Sequence, residues 1–343
     1  MKAPKSILTL PMRKKPEYSF NKEIESKLTG FKAYLQELGN GANTIRQKSN
    51  YAGYFLSWLE TEHLQPEETR YNDLLSFIDY CKLEVDALSG VEGNSKRHIN
   101  SKLRSIRNFY EYLKQSNPTI INPASNLNLK GIRQKLPSNI IDFKELENLY
   151  QSLETTTNRK KRNKIILGIL VYQGVTTEEL QQLEPNHLKL KEGKIVVPGN
   201  RRRNSRTLEL KPFQILGLHE YLTEVRPTIL QEITAPRPAR KPTKINQSKI
   251  ENQLFISING SENIKNSLLH MFKAIQKLNP EILHPKQIRA SVITYWLKNH
   301  NLRQVQYMAG HKYVSSTERY QLNNLDSLQS KLEKFHPLNN RNI

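Results

Sequence analysis

The sequence predicts a mostly α-helical protein with a small β-hairpin or sheet, arranged as a helical N-terminal domain followed by a mixed α/β domain. Long stretches place apolar residues at every third or fourth position, which is the spacing of one helix face. Two short segments, GKIVVPG and SRTLELK, are instead β-branched or alternating, which indicates two antiparallel strands. A length of 343 residues is enough for about two domains.

The helical N-terminal domain is predicted over residues 19–127 as a group of amphipathic helices. Asn43 or Thr44 is placed to cap the second helix. The last helix, NSKRHINSKLRSIRNFYEYLKQS, is the most basic of the group. A basic tail over residues 1–18 precedes them, and it is either disordered or in contact with phosphates. Such helices suit a small bundle that presents one basic face.

A linker over residues 128–139 is predicted from its proline, glycine and cationic residues. The mixed domain then covers residues 140–343. Thr176 and Glu179 form a capping-box pattern at the start of a short helix. A long basic loop is predicted over the proline-rich residues 226–249. Further helices are predicted near residues 262–277, 286–299, 302–309, 313–321 and 325–335.

The charge balance predicts a polyanionic partner. Lysine and arginine number 53 against 32 acidic residues, so the formal net charge is +21. This excess favours nucleic acid over an anionic membrane surface. Double-stranded DNA is the expected partner of the basic helical bundle. No apolar run approaches the roughly 20 residues of a membrane-spanning helix.

The single cysteine and the N-terminal sequence together predict the cellular location. Cys81 is the only cysteine, which excludes an intrachain disulfide and a cysteine-rich zinc site. It lies in an apolar-periodic segment, so we expect a buried small hydrophobic residue. The apolar part of the N-terminus is too short for a secretory signal. The expected location is the cytoplasm, in association with the nucleoid.

Basic residues of the fourth helix, the linker and the hairpin are the candidate DNA contacts. Cationic side chains that neutralise phosphates supply most of the sequence-independent affinity for DNA. The predicted DNA-binding residues are Lys96, Arg97, Lys102, Arg104, Lys130, Arg133, Lys135, Arg202, Arg203 and Arg206.

A second group of residues, near the C-terminus, could carry chemistry. Lys286 and Arg289 are neighbours on one helix face, His311 follows a glycine, and Tyr320 lies downstream. Taken singly, each has an ordinary structural interpretation as a basic helix, a satisfied histidine or a core tyrosine. Together they suit attack by a tyrosine on a phosphodiester, because cations neutralise the charge that develops on the non-bridging oxygens.

The string QVQYMAGH, followed by Thr317 and Tyr320, resembles the signature "Q-x-x-LGH-x-x-x-x-T-x-x-Y" of the tyrosine recombinases, or phage integrases. Arg289 lies upstream at about the expected distance. The resemblance implies a helical core-binding domain that clamps DNA, followed by a catalytic domain. It also implies a homotetramer on DNA, or a mixed assembly with another recombinase.

The resemblance implies a mechanism as well. Tyr320 attacks a DNA phosphate and forms a 3′-phosphotyrosyl link, which a 5′ hydroxyl of the partner strand then resolves. Arg289 holds the non-bridging oxygens, and His311 hydrogen-bonds the phosphate and assists proton movement. Because the bond energy is retained in the phosphotyrosine, the family requires no ATP, metal or other cofactor.

Three positions depart from the family pattern. Thr176 stands where the family has its first arginine, in a motif like "TGLR-x-x-EL". Lys286 takes the place of a histidine, and lysine is a poorer base near neutral pH. Arg201 is the nearest match to the hairpin lysine, although its high pKa makes arginine a poor proton donor.

The predicted catalytic set is therefore Tyr320, Arg289, His311, Lys286 and Arg201. The main hypothesis is a site-specific recombinase of the integrase or excisionase type. One alternative is a catalytically impaired or inactive DNA-binding relative that occupies or bridges recombination sites. Another is a member that is active only in mixed assemblies, where a partner supplies the missing groups.

Overall fold

A computed structural model describes residues 20–83, 94–131, 139–235 and 247–321. Several predictions lie outside these ranges. They are the basic tail over 1–18, the candidate DNA contacts Arg133 and Lys135, and the helix near 325–335. The chain divides into two compact units, Met1–Gln134 and Lys135–Ile343, and this boundary falls inside the linker predicted from the sequence.

The described part of the first unit contains four helices, packed through their apolar faces. Their bounds are Lys22–Glu37 (α1), Ala42–Thr61 (α2), Tyr71–Leu83 (α3) and Lys96–Ser116 (α4). The Asn21 side chain caps α1 by accepting from the Ile24 amide at 2.8 Å. Helix α2 begins earlier than its predicted caps, because Gly41 takes the extended N-cap conformation and no side chain caps it.

Helix α4 buries one face against α1 and α2 and leaves three of its six lysines and arginines exposed. Lys96, Arg97 and Arg104 are exposed, as contact with phosphates requires. The prediction for Lys102 is wrong, because this side chain is 3% exposed and lies inside the bundle. Its Nζ is 3.7 Å from the centre of the Tyr54 ring and 3.6 Å from Sγ of Cys81, whose predicted burial is confirmed.

The second unit, in its described part, combines helices with one three-stranded antiparallel sheet in the order β1-β2-β3. The hairpin predicted from sequence is present, with Ile195 opposite Leu208 in its register. The added strand β1 has two residues, which is too short to show an alternating pattern. The strands are Leu188–Lys189 (β1), Lys194–Val197 (β2) and Arg206–Glu209 (β3).

Helix α6 lies at the centre of this unit's core and contacts several of its neighbours. It ends at Gly174, where a φ of +55° requires the left-handed conformation that glycine adopts readily. The helices of the second unit are Phe143–Ser152 (α5), Asn158–Gln173 (α6), Thr177–Gln182 (α7), Pro212–Glu220 (α8), Arg226–Thr234 (α9), Gln247–Asn252 (α10), Lys265–Leu278 (α11), Pro285–Asn299 (α12) and Leu302–Ala309 (α13), with residues 315–321 also helical.

The basic loop predicted over 226–249 is partly wrong. A π-helical turn, Tyr221–Val225, joins α8 to α9, so the chain stays helical to Thr234. Val225 and Ile229 are buried in the core, and this packing overrides the break expected from proline. Pro227 follows this π-helical turn directly, at the start of α9. Over the described residues, no helix is long and apolar enough to cross a membrane.

Candidate active site

Arg289 lies on the buried face of α12 and is held by two backbone carbonyls. One guanidinium nitrogen, Nη1, donates to the carbonyl of Gly174, and Nη2 donates to that of Ala309 at 2.6 Å. Burial lowers the pKa of Arg289 to about 10, although the nearby Glu179 carboxylate raises it. Arg289 is therefore still a cation at neutral pH, and the two backbone carbonyls fix the orientation of its guanidinium group.

Gly310 ends α13 with a φ of +66°, and the turn brings the next residue, His311, towards α12. A Cβ at position 310 would lie 2.5 Å from Nη1 of Arg206 and 3.0 Å from the carbonyl oxygen of Asn204. Glycine is thus required here for its conformation and for space. The sequence placed a glycine before the histidine, and the structure supplies the reason.

The His311 ring bridges α12 and the helix at 315–321. Its Nε2 is 3.2 Å from Nη2 of Arg289, and its Nδ1 is 2.9 Å from Oγ1 of Thr317. Because arginine only donates, Nε2 accepts, and Nδ1 carries the proton that is donated to Thr317. Burial first, and then the cations Arg289, Arg203 and Arg206, lower the pKa of His311 to about 3.

We expect the His311 imidazole to remain neutral between about pH 5 and 8, unlike an ordinary histidine. Its folded pKa lies below the usual value of 6.5, so the unfolded chain binds a proton first as the pH falls. The stability from this site is complete above pH 6.5 and is lost progressively towards about pH 3. Imidazole NMR spectra, assigned with a His311→Gln variant, check this. A His311 resonance that titrates near its ordinary pKa would contradict it.

Tyr320 lies on the helix at 315–321, half-buried against the core of the second unit. Its ring is nearly parallel to that of His311, with 6.1 Å between their centres and 16° between their planes. Both residues line a cleft of about 470 Å³ that also contains Lys286 and Arg203. The structure therefore brings together Tyr320, His311 and Lys286, with Arg289 against the inner edge of the imidazole.

A buried carboxylate, Glu179, lies behind the cleft. It closes the predicted capping box of α7, since Thr176 donates to Glu179 Oε2 from its backbone at 2.8 Å and its hydroxyl at 2.9 Å. Arg206 donates to Oε1 of Glu179 at 2.7 Å and to Oε2 at 3.4 Å, and Arg289 Nη1 lies 3.8 Å from Oε2. Burial alone would raise the pKa of Glu179, but Arg206, Thr176 and Arg289 lower it on balance.

The four hairpin arginines have different environments. Arg201 and Arg202 are exposed; Arg202 lines the cleft, and Arg201 is not among its lining residues in the described chain. The prediction that Arg206 contacts DNA is wrong, because its side chain is fully buried in the ion pair with Glu179. Its Nε also donates to the carbonyl of Met308 at 2.7 Å.

Several other residues that were not predicted from the sequence line this cleft. His284 caps α12, because its Nδ1 accepts a hydrogen bond from the Gln287 amide. The other ring nitrogen, Nε2, takes no part in this cap. Lys312 and Arg319 add positive charge. A histidine two residues before Lys286, followed by proline, was the sequence signal available for His284. Within the described ranges, no group of three His, Cys, Asp or Glu residues could hold a metal ion.

A family profile and several known proteins match this chain. The profile described as "Phage integrase family" matches residues 139–326, which is more than half of the chain. The chain is 26% identical over 309 residues to tyrosine recombinase XerD of Listeria innocua, covering 88% of this chain and 95% of that protein. It is 25% identical to tyrosine recombinase XerC of Oceanobacillus iheyensis, covering 93% of this chain and 99% of that protein.

Solved structures show the same fold. The XerH site-specific recombinase bound to palindromic difH substrate in a post-cleavage complex has a TM-score of 0.63 at 20% identity, covering 85% of this chain and 79% of that one. The Tn1549 transposon integrase in complex with a circular intermediate DNA (CI6a-DNA) has a TM-score of 0.60 at 16% identity, covering 86% and 94%.

Proposed function

Because this chain belongs to the phage integrase family, we propose that it is a site-specific recombinase that cuts and rejoins duplex DNA through a 3′-phosphotyrosyl intermediate. The observation that carries the proposal is the meeting of Tyr320 and His311 at one cationic cleft, with Arg289 directly behind the imidazole. A phenol, an imidazole and a fixed guanidinium provide a nucleophile, a hydrogen-bonding group and a charge for one phosphate.

In the proposed reaction, the hydroxyl oxygen of Tyr320 forms a bond to phosphorus and loses its proton. The bond from phosphorus to the 5′ oxygen breaks, and that oxygen takes up a proton to leave as a hydroxyl. Arg289 donates hydrogen bonds to the non-bridging oxygens as their charge increases. The neutral His311, whose Nε2 accepts and whose Nδ1 donates to Thr317, assists the movement of the tyrosine proton to the leaving 5′ oxygen. Lys286 adds positive charge in the cleft. Attack by a 5′ hydroxyl of the partner strand reverses these steps.

The exposed cations are proposed to bind the DNA backbone. They include Lys96, Arg97 and Arg104 on α4, with Lys130 and Arg202 elsewhere. Arg133 and Lys135, outside the described residues, belong to the same proposal. Each neutralised phosphate releases counterions, so binding should weaken steeply as salt increases. We further propose a homotetramer on DNA, or a mixed assembly with another recombinase, acting on the nucleoid in the cytoplasm.

The second candidate is a binding protein without cleavage activity, and Thr176 is the observation that favours it. A threonine hydroxyl cannot supply the charge of the arginine that the family has at this position. Loss of one preorganised donor costs about 10²–10³ in rate. The retained Tyr320, which lines the cleft beside His311, favours cleavage instead.

Capture of a covalent adduct distinguishes the two candidates. The bound duplex would first be selected from a random DNA library and then nicked close to the scissile phosphate, so that the short fragment diffuses away after cleavage. We expect a protein–DNA adduct that survives denaturation, with peptide mapping to Tyr320. Tight specific binding with no adduct would support the binding protein instead.

A further inference from the structure

Arg203 differs from Arg201 and Arg202, the exposed arginines of the hairpin turn, because its position is fixed at both the backbone and the side chain. Its backbone forms an antiparallel bridge with His311. The adjacent Asn204 amide donates to the carbonyl of Gly310 at 3.0 Å. The Arg203 side chain is half-buried and lines the cleft that contains Tyr320. This arginine is therefore tied to the same turn that aims the imidazole.

The Thr176 hydroxyl holds the Arg203 guanidinium. Nη1 of Arg203 donates to Oγ1 of Thr176 at 3.2 Å, and it lies 3.7 Å from Oε2 of Glu178. The same hydroxyl donates to Glu179 Oε2 at 2.9 Å and accepts from the Glu179 amide at 3.2 Å. A hydroxyl has one proton and two lone pairs, so all three are used. An arginine at position 176 could accept neither the hydrogen bond from Arg203 nor the one from the Glu179 amide.

The guanidinium of Arg203 retains donors for a ligand. Arginine carries five N–H groups in a planar fork that suits phosphate oxygens. In the described chain, the hydrogen bond to Thr176 engages one of these donors. Arg203 lines the cleft beside His311, and Arg289 lies directly behind that ring, with Nη2 3.2 Å from Nε2. Besides burial, the charge of Arg203 lowers the pKa of both His311 and Arg289.

We propose that Arg203 is a catalytic residue, which takes over the task of the absent arginine by contacting a non-bridging oxygen of the scissile phosphate together with Arg289. This assignment rests on the proposed function. Thr176 then acts as a positioning residue that directs Arg203 into the cleft. The hairpin thus supplies the second guanidinium, although the sequence placed the candidate catalytic arginine two residues earlier, at Arg201.

The test compares Arg203→Ala with Lys194→Ala, which removes an exposed cation from strand β2 of the same hairpin. Cleavage is measured on the nicked duplex, and affinity is measured separately on the intact duplex. We expect Arg203→Ala to slow cleavage by about 10²–10³ with less than about threefold change in affinity. The control should change cleavage by less than about threefold. Equal losses of cleavage and affinity in Arg203→Ala would show that Arg203 only binds the DNA backbone, and this result would overturn the assignment.

A neutral substrate gives a second and independent measurement. A methylphosphonate at the scissile position removes one negative oxygen, so the reaction needs one cation less. We expect the cleavage deficit of Arg203→Ala relative to wild type to be at least about tenfold smaller on this substrate than on the normal phosphodiester. Such a recovery of cleavage also shows that the variant is folded. Absence of such selective rescue would overturn the assignment. Thr176→Val should reduce cleavage by about tenfold, because it removes the hydroxyl that positions Arg203.

The result with the wild-type protein separates this assignment from the proposed function. If wild type forms no adduct on either substrate, the recombinase function fails and the catalytic assignment of Arg203 fails with it. If wild type cleaves and Arg203→Ala cleaves equally well, only the assignment of Arg203 is overturned.

Discussion

Replacing Tyr320 by phenylalanine should abolish adduct formation while leaving affinity for DNA within about twofold of wild type. The substitution removes the hydroxyl oxygen that attacks phosphorus and retains the ring that stacks beside His311. Loss of a nucleophile typically costs about 10⁴-fold or more in rate, because no other group can form the covalent intermediate. Gel analysis after denaturation measures the adduct, and titration of intact duplex measures affinity.

Tyr313→Phe is a matched control for this experiment. Tyr313 lines the same cleft but is 72% exposed, and it lies seven residues before Tyr320. We expect its loss to change the rate of adduct formation by less than about threefold, within the range of a peripheral contact. Adduct that persists in Tyr320→Phe and disappears in Tyr313→Phe would show that the nucleophile has been assigned to the wrong tyrosine.

Replacing Glu179 by glutamine should lower the free energy of unfolding of the second unit by about 3–5 kcal/mol, because two buried cations lose their counterion. Arg206 and Glu179 are fully buried as a pair, and Arg289 lies 3.8 Å from the same carboxylate. Arg206 in turn donates to the carbonyl of Met308. Urea unfolding measures the effect, and slower cleavage should accompany it as Arg289 loses its support.

The neighbouring Glu178→Gln is the control for the loss of a negative charge. Glu178 is 61% exposed and pairs with Arg203 at 3.7 Å, so its replacement should change stability by less than about 0.5 kcal/mol. Equal small effects for both variants would contradict the importance assigned to the buried carboxylate.

Lowering the pH should remove the contribution of the Glu179 carboxylate to stability. The folded pKa of Glu179 is lowered from 4.5, since the pull of Arg206 and Thr176 outweighs burial. Its stabilising contribution is therefore present above pH 4.5 and is lost as the pH falls through the folded pKa. Wild type should lose stability below this pH, and Glu179→Gln should lose less over the same range.

The sequence alone predicted the proposed reaction chemistry, because the residues proposed to carry it are close along the chain. Arg289, His311 and Tyr320 lie within one segment, on elements whose geometry follows from local spacing. Gly310 is a local signal too, since only glycine tolerates that turn next to Arg206. The capping box at Thr176 likewise needs only a contact across three residues, and the structure contains it.

Which cations meet a phosphate was decided only by the tertiary structure. A lysine or arginine has the same sequence signal whether it faces solvent, an aromatic ring or a buried carboxylate. Lys102 contacts Tyr54 inside the first unit, and Arg206 pairs with Glu179 across 27 residues of chain. Arg203 contacts Thr176 across the same separation. Such partners come together only when the hairpin packs on α7 and α13, and no local spacing specifies that packing.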